Sequence, residues 1–107
     1  MRNGDSSNIP LELHDPQPGL LYTLEGVIHL TGASRRNILV YCKSGLVQPR
    51  QPSDSEPMRF DEETIYLIRR IEQLRAERGI NLEGIRMILE LWGEVQRLQN
   101  EIRFLRS

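Results

Sequence analysis

At 107 residues, with 38% hydrophobic and 27% charged side chains, the chain has room for one modest core and falls in the compositional range of a globular domain, not a collagenous, disordered or membrane protein. No apolar run approaches the roughly 20 residues that span a bilayer, and the N-terminus lacks the basic, apolar, small-residue order of a signal sequence, so a cytoplasmic protein with no membrane role is expected. The net charge of -1 hides an uneven distribution: residues 1–33 carry Arg2 against Asp5, Glu12, Asp15 and Glu25, whereas residues 34–59 carry Arg35, Arg36, Lys43, Arg50 and Arg59 against Asp54 and Glu56, which puts any anion-binding surface in the middle third.

Residues 1–20 are rich in Gly, Pro, Asn, Ser and Asp, and Pro10, Pro16 and Pro18 oppose helix, so this stretch reads as a flexible N-terminal arm. Thr23 is placed to cap a first short helix in which Leu24, Val27 and Ile28 share a face. The run Thr31-Gly32-Ala33-Ser34 then supplies a turn glycine and a second N-cap, the order expected of a helix-turn-helix. The second helix is expected to reach about Ser44 and to stop at Gly45, with Leu46 and Val47 leaving it as an apolar clamp.

Pro49, Pro52 and Pro57 punctuate the next stretch, which has Ser53-Asp54-Ser55 at its tip and apolar flanks at Leu46-Val47 and Met58-Arg59-Phe60. It reads as a short two-stranded wing with a polar loop. Asp61 can cap a third helix carrying Ile65, Ile68 and Ile71, ended by Gly79, and Asn81 can cap a fourth carrying Leu82, Ile85, Ile88 and Leu89. From Ile88 onward the apolar residues Ile88, Leu91, Val95, Leu98, Ile102 and Leu105 alternate spacings of three and four. These are heptad positions a and d, with β-branched residues at a and leucines at d, a pattern that favours a two-stranded coiled coil in a homodimer. Fewer than three heptads are marginal alone, so pairing needs the domain behind it; the alternative is a helix folded back on its own domain. Trp92, beside the seam, is expected to pack where the coil meets that domain.

Catalytic and metal chemistry find little support. A single cysteine, Cys42, can close no intramolecular disulfide and cannot form a thiolate cluster for zinc, and it reads as a small buried hydrophobe. His14 and His29 read as surface residues. No nucleophile–base set, phosphate loop or pair of acids in a cleft is recognisable, so the chain is not expected to be an enzyme or to carry a metal or cofactor.

The words Tyr22-Thr23-Leu24, Thr31-Gly32-Ala33-Ser34, Gly45-Leu46-Val47-Gln48-Pro49, Arg59-Phe60-Asp61-Glu62-Glu63 and Arg78-Gly79-Ile80-Asn81-Leu82-Glu83-Gly84-Ile85 fall in the order and spacing of the MerR family. Over residues 21–107 the chain resembles that family, and its segment from Asn81 to Leu98 is most similar to the small heat-shock repressors and to the chaperone modulators that bind a J-domain co-chaperone. The resemblance implies a mainly α, winged helix-turn-helix fold: a flexible arm over 1–20, a MerR-like domain over 21–87 and a coiled-coil dimerisation helix over 88–107.

Against the family's recognition-helix pattern, Arg36 and Tyr41 match, whereas Leu39, Val40 and Cys42 stand where arginine, tyrosine and acid are usual. In the wing Phe60 matches the closing aromatic, and Met58 occupies the usual arginine position with Arg59 one residue late. The run Ile38 to Cys42 covers 400° of helical rotation, so one core face cannot hold all five, and Leu39 or Val40 must point outward unless wing or arm covers it. Two functions follow from the resemblance. One is a small DNA-binding transcriptional regulator, of chaperone or stress genes, that contacts duplex DNA through Arg35, Arg36, Asn37, Tyr41, Lys43, Arg50 and Arg59. The other is a chaperone modulator that grips a J-domain protein through Leu39 and Val40.

Overall fold

The computed structural model describes residues 15–106, and all statements below concern these residues. The architecture is mainly helical, with four α-helices: α1 (Leu24–Thr31), α2 (Arg35–Lys43), α3 (Glu62–Glu72) and α4 (Leu82–Arg106). The chain divides after Glu72 into two compact units. Most of the expected arm, residues 1–14, lies outside the described residues; residues 15–20 lack helix and strand, and Gly19 turns with positive φ.

The helix starts follow directly from side-chain capping. Thr23 Oγ1 accepts from the Gly26 N–H at 3.1 Å, Ser34 Oγ from the Asn37 N–H at 3.1 Å, Asp61 Oδ1 from the Thr64 N–H at 2.9 Å and Asn81 Oδ1 from the Gly84 N–H at 2.8 Å. Each satisfies a donor that the first turn leaves without an intrahelical partner, typically worth about 1 kcal/mol.

The turn between α1 and α2 is held at both ends. Gly32, at φ 75°, closes α1 by donating to the Ile28 carbonyl at 2.9 Å. The Thr31 hydroxyl donates to the Val27 carbonyl and accepts from the Ala33 N–H, which fixes the path into Ser34. Left-handed backbone of this kind is open to glycine without a Cβ clash.

In the first unit, α1 packs on α2 and on α3. Its core is built from Val27, Ala33, Ile38, Tyr41, Val47, Phe60, Ile65, Ile68 and Ile71, all essentially excluded from solvent. Ile65, Ile68 and Ile71 follow one another at three-residue steps and place a continuous β-branched stripe along α3. After α2 the chain reverses: Leu46 and Val47 both donate their N–H to the Tyr41 carbonyl, at 3.0 and 3.3 Å, and both bury their side chains.

The segment 48–59 differs from the expected two-stranded wing. It is closed by one antiparallel bridge, Arg50 with Arg59, whose two N–H···O contacts are 2.7 and 2.9 Å. Pro49, Pro52 and Pro57 lack the N–H that a longer ladder needs. A second bridge, Tyr22 with Phe60, ties the entry of α1 to the residue next to that closure. Arg69 adds a long-range clamp, since its Nε and Nη2 donate to the Leu30 carbonyl at 3.1 and 3.0 Å and occupy an acceptor in the last turn of α1.

The second unit opens with a π-helical segment, Gln73–Glu77, so the third helix expected to run regularly to Gly79 changes pitch after Glu72. Gly79, at φ 69°, breaks the helix before the Asn81 cap. At Gly84 an added Cβ would stand 2.7 Å from the Ile80 Cγ2, so any larger residue there would force the Ile80 side chain or the local backbone to shift. α4 then continues for 25 residues, and the domain boundary expected between residues 87 and 88 falls within it without interruption.

Candidate nucleic-acid interface

Helix geometry sorts the residues of α2 into two faces. Successive residues turn by 100°, so Ile38 and Tyr41 share one side while Arg35, Arg36, Leu39, Val40 and Lys43 share the other. Ile38 and Tyr41 are buried, Asn37 and Cys42 are half-buried, and Leu39 and Val40 are 39% and 37% exposed. The five outward residues line a shallow depression of about 390 Å³. No acidic residue occurs anywhere in α2.

Tyr41 does not belong with the DNA-facing residues. Its side chain is 1% exposed, and its hydroxyl donates to the Glu72 carboxylate on α3. A buried phenol with an engaged hydroxyl cannot reach a base edge, and its position in the sequence resemblance is filled here by a core residue. Asn37 remains at the helix N-terminus, half-buried, with its backbone N–H engaged by the Ser34 cap.

The remaining cations differ in how far they are already neutralised. Arg35 pairs with Glu25 of α1, and the hydrogen bond from Arg35 holds the Glu25 carboxyl below the usual carboxylate range. Arg50 lies 3.4 Å from Asp61 Oδ2. The first cause of the lowered Asp61 pKa is the hydrogen bond from the Thr64 backbone, with Arg50 a smaller contribution. Arg59 is half-buried and donates to the Met58 carbonyl at 3.2 Å. Among the described residues, neither Arg36 nor Lys43 has a carboxylate within ion-pair distance. These two are the cations most available to an incoming anion.

Sequence reasoning did not find the Glu25–Arg35 pair. Ten residues separate the partners and a turn intervenes, so no helical spacing links them. Nor did any local pattern mark Arg50–Asp61, which joins the closing bridge of the 48–59 segment to the cap of α3. Both pairs make the basic face less positive than its arginines alone would imply.

Other candidate chemistry is weak. Burial pushes the Cys42 thiol up, which disfavours the reactive thiolate. His29 is exposed, and His14 lies outside the described residues. Among the described residues no cluster of three or more His, Cys, Asp or Glu side chains is arranged to hold a metal ion, and no helix is long and apolar enough to cross a membrane.

A second surface lies on α4. Ile88 is half-buried, and every residue from Leu91 to Arg106 is exposed, including Leu91, Val95, Leu98, Ile102 and Leu105 of the heptad seam. Trp92, expected to be packed, is 46% exposed. Outside the seam, Arg97 ion-pairs with Glu94 and with Glu101, the latter at 2.8 Å. The Arg97 hydrogen bond lowers the Glu94 pKa, and the same contact raises that of Arg97.

Residues 22–107 match the model of a family described as MerR HTH family regulatory protein. The chain is 33% identical over 90 residues to the heat shock protein HspR of Streptomyces coelicolor, an alignment covering 84% of this chain and 58% of that protein. It is 35% identical over 72 residues to the chaperone modulatory protein CbpM of Pseudomonas putida, covering 65% of this chain and 68% of that protein. The chain thus spans little more than half the length of the first relative.

Proposed function

The chain belongs to the MerR helix-turn-helix family of regulatory proteins, and from that premise we propose that it is a DNA-binding transcriptional regulator of chaperone or stress genes, acting in the cytoplasm as a homodimer. The observation that carries this reading is the outward face of α2, where Arg35, Arg36 and Lys43 surround an exposed surface without an acid. In a duplex complex Arg36 and Lys43 neutralise phosphates, Arg35 and Asn37 sit at the helix N-terminus within reach of base edges, and the 48–59 segment serves as the wing, carrying Arg50 and Arg59 to the backbone. The α4 seam, from Ile88 to Leu105, pairs two copies in a coiled coil and presents one recognition helix to each half-site of a palindromic operator.

Fluorescence anisotropy with promoter duplexes at rising salt tests this directly. Affinity should fall steeply with salt, because bound cations release the counterions of the phosphates. Absence of binding to every promoter fragment at low salt would rule the reading out.

One observation favours a second reading. Leu39 and Val40 are exposed on the helix that faces DNA in this proposal, and such aliphatic patches are common in protein contacts. With the similarity to a chaperone modulatory protein, this supports a modulator that binds a J-domain co-chaperone through α2. Co-purification with a J-domain protein, lost in Leu39→Asp with the circular dichroism spectrum unchanged, is the result this reading requires.

A further inference from the structure

The outward turn of α2 is chemically unusual for a surface that meets base edges. Its middle is occupied by Leu39 and Val40, which can neither donate nor accept a hydrogen bond, and its margins by Arg35, Arg36 and Lys43. Pressing a base donor or acceptor against the two aliphatic groups would strip it of water without replacing its hydrogen bond. The major groove contains one apolar group among its base-edge features, the C5-methyl of thymine.

We propose that α2 selects its DNA through thymine methyl groups, with Leu39 and Val40 seated against them and Arg36 and Lys43 anchored on flanking phosphates. This rests on the DNA-binding reading above and specifies what that site recognises. Charge complementarity singles out the duplex as the occupant: α2 bears three cations and no acid of its own, and although Glu25 of α1 pairs with Arg35, Arg36 and Lys43 have no carboxylate partner among the described residues. Arg35, drawn towards Glu25, is less free to reach a guanine edge than its place in the first turn suggests. The operator is therefore thymine-bearing opposite the centre of α2, and base choice there depends more on methyl burial than on bidentate hydrogen bonding.

The test begins with full-length protein and a pool of duplexes carrying a randomised centre between fixed arms. Retained duplexes should be enriched in thymine within each half-site. One of them is then resynthesised with deoxyuridine in place of individual thymidines, which removes the methyl group and leaves pairing and phosphate charge intact. Binding should weaken by about fourfold for each contacted methyl, with the same dependence on salt. Leu39→Ala and Val40→Ala should reduce this discrimination while retaining the helical spectrum, since both side chains are exposed in the free protein. If the thymine and uracil duplexes bind alike, the methyl-reading inference is overturned and DNA binding stands. If no duplex in the pool is retained at low salt, the DNA-binding reading is overturned and this inference with it.

Discussion

The outward face of α2 and the C-terminal part of α4 both present aliphatic side chains to solvent, but in opposite electrostatic settings. On α2 two aliphatic residues lie among three cations, and two of those cations have no carboxylate partner among the described residues. On α4 the aliphatic residues recur at heptad spacing, and Arg97 already joins Glu94 and Glu101 on its own helix. Exposed apolar area alone therefore does not name a partner. A short apolar turn with unneutralised cations suits a polyanion, whereas a long periodic stripe beside internally paired charges suits a second copy of the same helix.

The sharpest way to break this comparison is to put a charge into each surface in turn. Leu98→Asp buries a carboxylate in the proposed seam, so light scattering should fall from the mass of a dimer to that of a monomer. Leu39→Asp should leave the mass unchanged. A monomeric wild-type protein, or loss of the dimer in Leu39→Asp, would reverse the roles assigned to the two helices.

The next largest effect compares the two faces of α2. Ile38→Ala removes a fully buried side chain and should cost about 2–5 kcal/mol in urea denaturation. Leu39→Ala, on the exposed side one residue away, should change stability by no more than about 0.5 kcal/mol. Similar losses at both positions would mean that the outward face is not a free surface.

The capping residues and the division of α2 were legible in the sequence because they depend on nearest neighbours. Thr23, Ser34, Asp61 and Asn81 each act within three residues, and the apolar run from Ile38 to Cys42 is too wide for one core face. Contacts closed by the tertiary fold were not legible. Tyr41 donates to Glu72 across 31 positions, Arg69 reaches Leu30 across 39, and Tyr22 pairs with Phe60 only after α2 and the 48–59 segment have intervened. Tyr41 shows the cost of transferring a role by position: the same residue type that contacts DNA in the family pattern is here turned into the core. In the 48–59 segment the apolar flanks point to strands, whereas three prolines without an N–H leave a single bridge, Arg50 with Arg59, among the described residues.

Among the cations, Arg36→Ala should weaken duplex binding more than Arg35→Ala and should reduce the slope of log affinity against log salt by about 0.9, the value for one phosphate contact. Arg35 already ion-pairs with Glu25, so less of its charge is offered to phosphate, and its removal also leaves the Glu25 carboxylate without that partner. Anisotropy at several salt concentrations separates the two effects. Equal slopes for Arg36→Ala and wild type would remove Arg36 from the interface.

A smaller effect concerns the cap that connects the 48–59 segment to α3. Asp61→Ala should cost about 1 kcal/mol, measured by thermal or urea unfolding. The folded-state pKa of Asp61 is lowered, chiefly by the Thr64 N–H. Its contribution is therefore fully present above the ordinary carboxylate pKa and is lost as pH falls through the depressed folded value. Wild type and Asp61→Ala should consequently converge in stability under acid; a gap that persists at the lowest pH would mean that the carboxylate charge is not what stabilises the cap.

The smallest change tests which side of α4 meets its partner. With Ile88 at position a, Gly93 falls at position f, on the side away from the seam, and a Cβ built there has no neighbour within 4 Å. Glycine in a helix interior is about 1 kcal/mol less favourable than alanine, so Gly93→Ala should raise the helicity and melting temperature and leave the dimer intact. If the two copies instead approach through Gly93, the added methyl enters their contact and self-association weakens even as the isolated helix gains propensity. The opposite signs of these outcomes in light scattering distinguish a heptad seam from a close glycine contact, because intrinsic propensity changes the same way in both.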